Sequence, residues 1–282
     1  MRTFVLTLLA MLAFAGNSLL CRLALKHTSI DAASFTSIRI ISGALVLWLI
    51  VRMRSGTRIP AGDWPAACAL FAYASGFSFA YVSLPAATGA LLLYGAIQAT
   101  MIGYGLWVGE RLRRPQTVGL IFAFGGLLSL LLPGLTAPPL GSAVLMLGAG
   151  IAWGVYSLRG KSAGDPTSVT AGNFLRAVIL AAGTSVVMLP WVSLDGTGFG
   201  YAILSGALAS GIGYVIWYTA LRGLKVTSAA TVQLSVPVIV AVGGIVFLGE
   251  PVTLRLLIAS IAILGGAALV IFAKQRDSGG GI

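Results

Sequence analysis

Rings and amides, rather than acids or metal ligands, are the side chains placed to do something in this chain. Tyr73, Phe77 and Tyr81 recur every four residues, which stacks them on one face of a helix. Tyr94 and Gln98 keep the same spacing, and Trp153 with Tyr156, and Tyr214 with Trp217 and Tyr218, share faces further on. Asn17 and Ser18 offer donors either to a carboxylate or to a neighbouring helix. Gln233 stands four residues before Pro237, whose ring removes the hydrogen bond to the Gln233 carbonyl and bends the helix there. The freed carbonyl and the amide are suited to accept from an ammonium group. The chemistry of such a set is non-covalent capture, with stacking for affinity and a few polar atoms for orientation. The competing reading is a belt of Trp and Tyr at a membrane interface. It suits Tyr81, Trp217, Tyr218, Trp48, Trp64, Trp107 and Trp191, which lie near the ends of apolar runs, and suits Phe14, Tyr73 and Tyr94 poorly.

The acids sit elsewhere. Asp31, Asp63, Glu110, Asp165, Asp195, Glu250 and Asp277 all fall at the ends of apolar runs or between them, and His27 is placed in the first loop. No carboxylate or histidine is left at depth for a proton relay, so the chain is expected to let its substrate run down its own gradient. Glu110 and Glu250 are read as structural, because a helix begins shortly after each and acids favour helix starts. Arg39 and Arg176 are the basic residues inside apolar runs. They suit either capture of a carboxylate or a structural contact at a helix interface. Their equal placement in two copies favours the structural role, since one substrate binds once. Cys21 and Cys68 form neither a metal-ligand spacing nor a disulfide framework and are read as buried thiols, so no metal and no cofactor is expected. An intramembrane enzyme would need clustered acids or a His/Cys set, and a cationic-drug pump a deep carboxylate. Both are disfavoured.

The elements that must hold these residues are membrane helices. The chain has 282 residues, 58% of them hydrophobic and 9% charged, against about 25% charged in soluble domains. Its apolar runs match the ~20 residues a helix needs to cross the hydrocarbon layer. Breaks in polarity give ten spans, near 3–22, 33–51, 66–83, 87–108, 116–132, 139–158, 168–190, 198–221, 227–248 and 253–273. Thirteen basic residues fall on one side of this arrangement, including Arg52, Arg54, Arg114, Arg159 and Lys225, and three on the other, Arg22, Lys26 and Arg255. That asymmetry puts both termini and the basic loops in the cytoplasm, and explains the net charge of +11 without nucleic acid. The first run, with Ala13-Phe14-Ala15, has signal-peptide features. It is read as a retained span because it has an internal counterpart.

That counterpart is part of a duplication. Residues 109–128 read GERLRRPQTVGLIFAFGGLL and residues 249–268 read GEPVTLRLLIASIAILGGAA, so Gly109-Glu110 and Gly125-Gly126 return 140 positions on. Arg22 and Arg39 return 137 positions on as Arg159 and Arg176. Five spans per half is an odd number, which forces the copies to opposite orientations, the architecture of alternating-access transporters. The halves are 1–132 and 139–274, and 275–282 is predicted to be a disordered tail.

The repeated Gly-Glu and Gly-Gly pairs, the arginine in the second span of each half, and Trp153-Gly154 resemble the EamA-type branch of the drug/metabolite transporter superfamily over essentially the whole chain. Within it the chain looks most like the YddG-type exporters of aromatic amino acids, with Phe14 and Trp153 where that group carries tryptophans. The fourth span departs, reading Tyr94-Gly95-Ala96-Ile97-Gln98 where a Trp-Pro pair is expected. The resemblance implies a ten-helix, all-α inner-membrane exporter in a lipid bilayer, moving amino acids or related small metabolites and acting without a cofactor. Phe14, Asn17, Tyr73, Phe77, Tyr94, Gln98, Trp153, Tyr156 and Gln233 are the expected substrate contacts, with Pro237 as hinge.

Overall fold

The computed structural model describes residues 2–55, 60–109, 114–132, 137–160, 165–221 and 232–278. Within these the chain forms helices and no strand. They are α1 (Arg2–His27), α2 (Ala32–Ser55), α3 (Trp64–Tyr81), α4 (Ala86–Trp107), α5 (Arg114–Leu131), α6 (Leu140–Gly160) and α7 (Pro166–Val187). After a single 3-10 turn come α8 (Gly196–Ala220), α9 (Ser235–Leu248) and α10 (Leu254–Ser278). The middle of α8, Leu204–Ile212, winds as a π-helix, a wide geometry usually seen as isolated turns at functional sites. By length and apolarity, α1, α2, α4, α6, α7 and α8 suffice to cross a membrane, and α9 is a shorter apolar helix.

Acids start these helices. Asp31 accepts from Ala33 and Ser34 N–H at 2.9 Å each, Asp63 from Ala66 N–H, Asp165 from Thr167 N–H and Asp195 from Gly198 N–H. Each such cap contributes about 0.5–2 kcal/mol. His27 belongs to the last turn of α1 rather than to a loop. Basic residues there complement the carbonyl end of the helix dipole.

Successive helices alternate in direction between two ends of the bundle. At one end Asp31 pairs by backbone and carboxylate with Ser193, Arg22 reaches Glu250, and Arg255 reaches the Leu132 carbonyl. At the other, Ala61 N–H donates to Ser168 and Arg159 meets Asp63. The main packing pairs are α5 with α10, α3 with α6, α2 with α7, α3 with α7, α4 with α6, α2 and α1 with α8, and α1 and α4 with α9. Exchanging each helix for the one five places on maps this set of pairs onto itself.

The self-paired helices run antiparallel. In α2 and α7, Ser37 bonds Ser185 while Gly43 abuts Phe174. In α5 and α10, Gly126 lies against Ala262 and Ile263, and Gly266 against Gly119 and Ala123. The repeated Gly-Gly pairs thus serve one seam, through their second member only. A Cβ on Gly126 would meet the Ala262 Cβ at 2.8 Å and the Ala259 carbonyl at 3.1 Å, whereas Gly125 and Gly265 face open space. Gly126→Ala is therefore expected to destabilise the solubilised protein by about 1–3 kcal/mol through overpacking. Gly125→Ala should be neutral, or stabilise by up to ~1 kcal/mol through helix propensity. Paired thermal melts in one detergent check this.

Candidate functional site

Six of the nominated side chains meet at the centre of the bundle. Phe14, Asn17, Tyr73, Phe77, Tyr94 and Trp153 line one small cavity, about 10 Å³ in volume, room for a single water. Tyr73, Phe77 and Tyr81 do share one face of α3, and all three are buried. Trp153 is the hub: its ring centroid lies 4.7 Å from Tyr73, 5.0 Å from Tyr214, 5.5 Å from Tyr156 and 6.2 Å from Phe14. Such offset and edge-on pairs add about 0.5–1.5 kcal/mol each beyond their area burial. Asn17 ties the wall together, donating to the Tyr73 hydroxyl at 3.1 Å and accepting from Ser205 at 2.6 Å, so that α1, α3 and α8 share one polar junction.

Other nominated residues stand outside that wall. Tyr156 is one turn beyond Trp153 on α6, towards Arg159. Gln98 is buried on α4 beside Ile97, which lines the cavity, but does not line it itself. Gln233 is half-buried and does not line it either. Pro237 sits in the first turn of α9, after a break at Leu234 where the Ser235 hydroxyl bonds the Val232 carbonyl. There its missing N–H leaves no intrahelical bond unmade.

Sequence reasoning passed over Leu93 and Ile97, and singled out Tyr214 and Ser18 without placing them among the expected substrate contacts; all four line the cavity. The interface-belt reading fails for Tyr81 and Trp217, which are buried; Trp217 packs 5.7 Å from Phe14. It suits Trp48, Trp64, Trp107 and Trp191, which are exposed. Facing direction, not distance from a helix end, separates the two groups. Likewise Cys21 is buried but Cys68 is exposed, because it points outward from α3.

The two ends of the molecule differ. Above the cavity, Arg22 donates through Nε to Glu250 at 3.0 Å and through Nη1 to the Tyr81 and Val82 carbonyls at 2.9 and 3.0 Å. The other Glu250 oxygen accepts the Ala86 N–H at 2.6 Å, and Lys26 caps the Leu248 carbonyl. Glu250 therefore serves the start of α4, 164 positions earlier in the chain, rather than the helix that follows it. Gly249, at φ +62°, supplies the left-handed residue that aims it there, and Gly109 repeats the turn at φ +93°. Glu110 lies outside the described residues. Below the cavity, an open hollow of about 750 Å³ runs between the ends of α4 and α6 and the starts of α3 and α7. Asp63, Arg159, Asn173 and Trp107 border it.

The two inner arginines are not alike. Arg176 donates to the Gly172 carbonyl on its own helix at 2.9 Å. Arg39 is 2% exposed, and its guanidinium carbon lies 5.2 Å from the Tyr73 ring and 4.9 Å from the Phe77 ring. Among the described residues no three His, Cys, Asp or Glu side chains group as a metal site would require.

Comparison with known proteins agrees with this architecture. The model of the EamA-like transporter family matches residues 140–272. An uncharacterized protein of Pseudomonas aeruginosa is 56% identical over 271 residues, covering 96% of this chain and 94% of its own length. An uncharacterized transporter of Archaeoglobus fulgidus is 25% identical, covering 98% of this chain and 99% of its own. The threonine/homoserine exporter RhtA of Escherichia coli is 33% identical over 142 residues, and the chain spans 46% of that protein's length. A crystal structure sharing 20% of residues superposes with a TM-score of 0.67 over 97% of this chain and 98% of its own, a likeness of fold.

Proposed function

We propose that the chain is a transporter of the EamA-like family, whose model matches residues 140–272, within the drug/metabolite transporter superfamily, and that it exports amino acids, aromatic or large hydrophobic ones first, by alternating access. The coarser facts are that it is a multi-pass integral membrane protein of a transporter family that handles small molecules. The finer reading has ten membrane spans in two inverted halves, 1–132 and 139–274, with a disordered tail from 275 and the basic end in the cytoplasm of a bacterial inner membrane. The exchange of packing partners between helices five places apart supports it, as do the antiparallel self-pairs, since an axis lying in the membrane plane requires both.

One observation carries the substrate reading: the ring wall of Phe14, Tyr73, Phe77, Tyr94, Trp153 and Tyr214 around a central cavity, beside the Asn17 amide. The hollow bordered by Asp63 and Arg159 gives that wall an approach from the basic end, while the Arg22–Glu250 contact seals the opposite one. In this reading the state described is cytoplasm-open. Tyr156 and Gln98 flank the path inward, Gln233 lies outside the wall, and the break before Pro237 is the flexing point of α9.

The test is flux of labelled amino acids in liposomes holding the purified protein, with no added ion gradient. Trp153→Ala removes the ring that four others touch, and is expected to raise the apparent KM for an aromatic amino acid about tenfold, the worth of one or two lost ring contacts. Its size-exclusion profile should be unchanged. Wild-type flux and affinity in that variant would take Trp153 out of the site, and failure of the wild type to move any amino acid would end the reading. A second reading, small hydroxylated amino acids, draws on the likeness to the threonine/homoserine exporter RhtA. Competition by threonine and homoserine against phenylalanine in the same liposomes decides between the two.

A further inference from the structure

We propose that Arg39 is the carboxylate anchor of the central cavity, so that the transported molecule carries a carboxylate which Arg39 and the Tyr214 hydroxyl hold between them. The inference rests on the reading of this cavity as the substrate site and adds the side chain that holds the substrate's carboxylate.

Arg39 is buried with its Nη1 lacking any hydrogen-bond partner among the described residues. The groups facing it are the hydroxyls of Tyr73 and Tyr214 and the Cys21 thiol, none of them a carboxylate. Among the described residues, the carboxylates that could neutralise it are engaged at the bundle ends. Asp31, Asp63, Asp165 and Asp195 cap helices, and Glu250 holds Arg22. A buried charge without a counter-charge is unfavourable by several kcal/mol, and the Tyr73 and Phe77 rings under it return only about 0.5–2 kcal/mol each. The Tyr214 hydroxyl is also buried and unpartnered, and Tyr214 lines the cavity. Arg39 packs behind the Tyr73 and Phe77 rings of the cavity wall, so an unmatched cation backs the same wall that carries an unmatched hydroxyl, a pair of donors that a carboxylate's two oxygens would satisfy.

The duplication does not account for this. Arg176 occupies the matching place in the second half, yet its Nη1 is satisfied by the Gly172 carbonyl. Arg39 alone of the pair is left for a ligand, and the bulk of that ligand would lie among Phe14, Trp153 and Tyr94.

The test is tryptophan-fluorescence titration of the full-length protein in detergent with matched acids and amides: 3-phenylpropionate against 3-phenylpropanamide, and phenylalanine against phenylalaninamide. Wild-type protein is expected to bind each acid at least about tenfold tighter than its amide, the worth of one charge-assisted pair. Arg39→Gln should abolish that preference, Arg39→Lys should keep part of it, and Arg176→Gln should keep all of it. Equal affinity for acid and amide, no saturable binding of either acid, or a preference surviving in Arg39→Gln would overturn the proposal. The acid–amide comparison in wild type and Arg39→Lys decides the matter even where Arg39→Gln fails to fold. 3-Phenylpropionate separates this inference from the one beneath it. Arg39-dependent binding of that acid without amino-acid flux sinks only the exporter reading, whereas flux untouched in Arg39→Gln sinks only the anchor.

Discussion

Glu250→Ala is expected to destabilise the protein by about 3–5 kcal/mol, the usual effect of removing one partner from a buried ion pair, and, in the cytoplasm-open reading proposed above, to unseal the end of the bundle where the Arg22–Glu250 contact lies. The Arg22 and Glu250 side chains are only 11% and 9% exposed. Without the carboxylate, the guanidinium keeps two carbonyls but loses its counter-charge, and the Ala86 N–H loses its acceptor at the start of α4. Glu250→Gln should be milder, because an amide oxygen still accepts from Ala86. The double variant Arg22→Met with Glu250→Leu should recover much of the lost stability, since replacing a buried pair by apolar side chains is often neutral. Thermal melts measure the first effect. The unsealing is read with a cysteine at position 18, which lines the cavity, in a background of Cys21→Ala and Cys68→Ser. A membrane-impermeant maleimide applied from the Arg22 side should label Ser18→Cys slowly in that background and several-fold faster once Glu250 is replaced. Equal rates would show that the pair does not close this end.

Gly206→Val is expected to be more damaging still. A Cβ at position 206 would coincide with the Arg39 carbonyl oxygen and the Ser42 hydroxyl, both closer than van der Waals contact, with the Arg39 carbonyl carbon at 2.8 Å. Side chains can turn aside, but the main chain of α2 cannot without moving the whole helix. Overpacking of this kind is unfavourable by about 1–3 kcal/mol when side chains can yield and by more when they cannot. The neighbouring Ser205 holds Asn17, which holds Tyr73, so the displacement reaches the cavity directly. Little monodisperse protein should be recovered, and what folds should show a raised KM. Gly200→Val, where nothing stands within 4 Å of the added carbon, is the control, expected to melt within about 1 kcal/mol of wild type.

The helices were legible in the sequence because each is an apolar run bounded by an acid, a proline or a glycine, and those residues do start and stop them. Much of the ring wall was legible for a similar reason: four-residue spacing fixes which side chains share a face. What spacing along one helix does not carry is the partner on another. Glu250 meets Arg22 across 228 positions, and no local pattern foretells it. Arg39 and Arg176 have the same neighbours in sequence distance and opposite fates in space. Tyr214 and Trp217 sit just after the π segment Leu204–Ile212, where an α-helical count of residues per turn no longer gives the facing direction, so their place in the core was hidden. Tyr81 was misjudged because depth in the bilayer was used where orientation mattered.

The glycine seam between α5 and α10 has a mechanical consequence. The pair packs mainly on itself, touching the other helices chiefly through α4. Any movement that leaves this seam intact must turn about it, like a board on a fulcrum. In the alternating-access reading proposed above, the other described helices part at one face only by drawing together at the other, so both mouths do not gape at once.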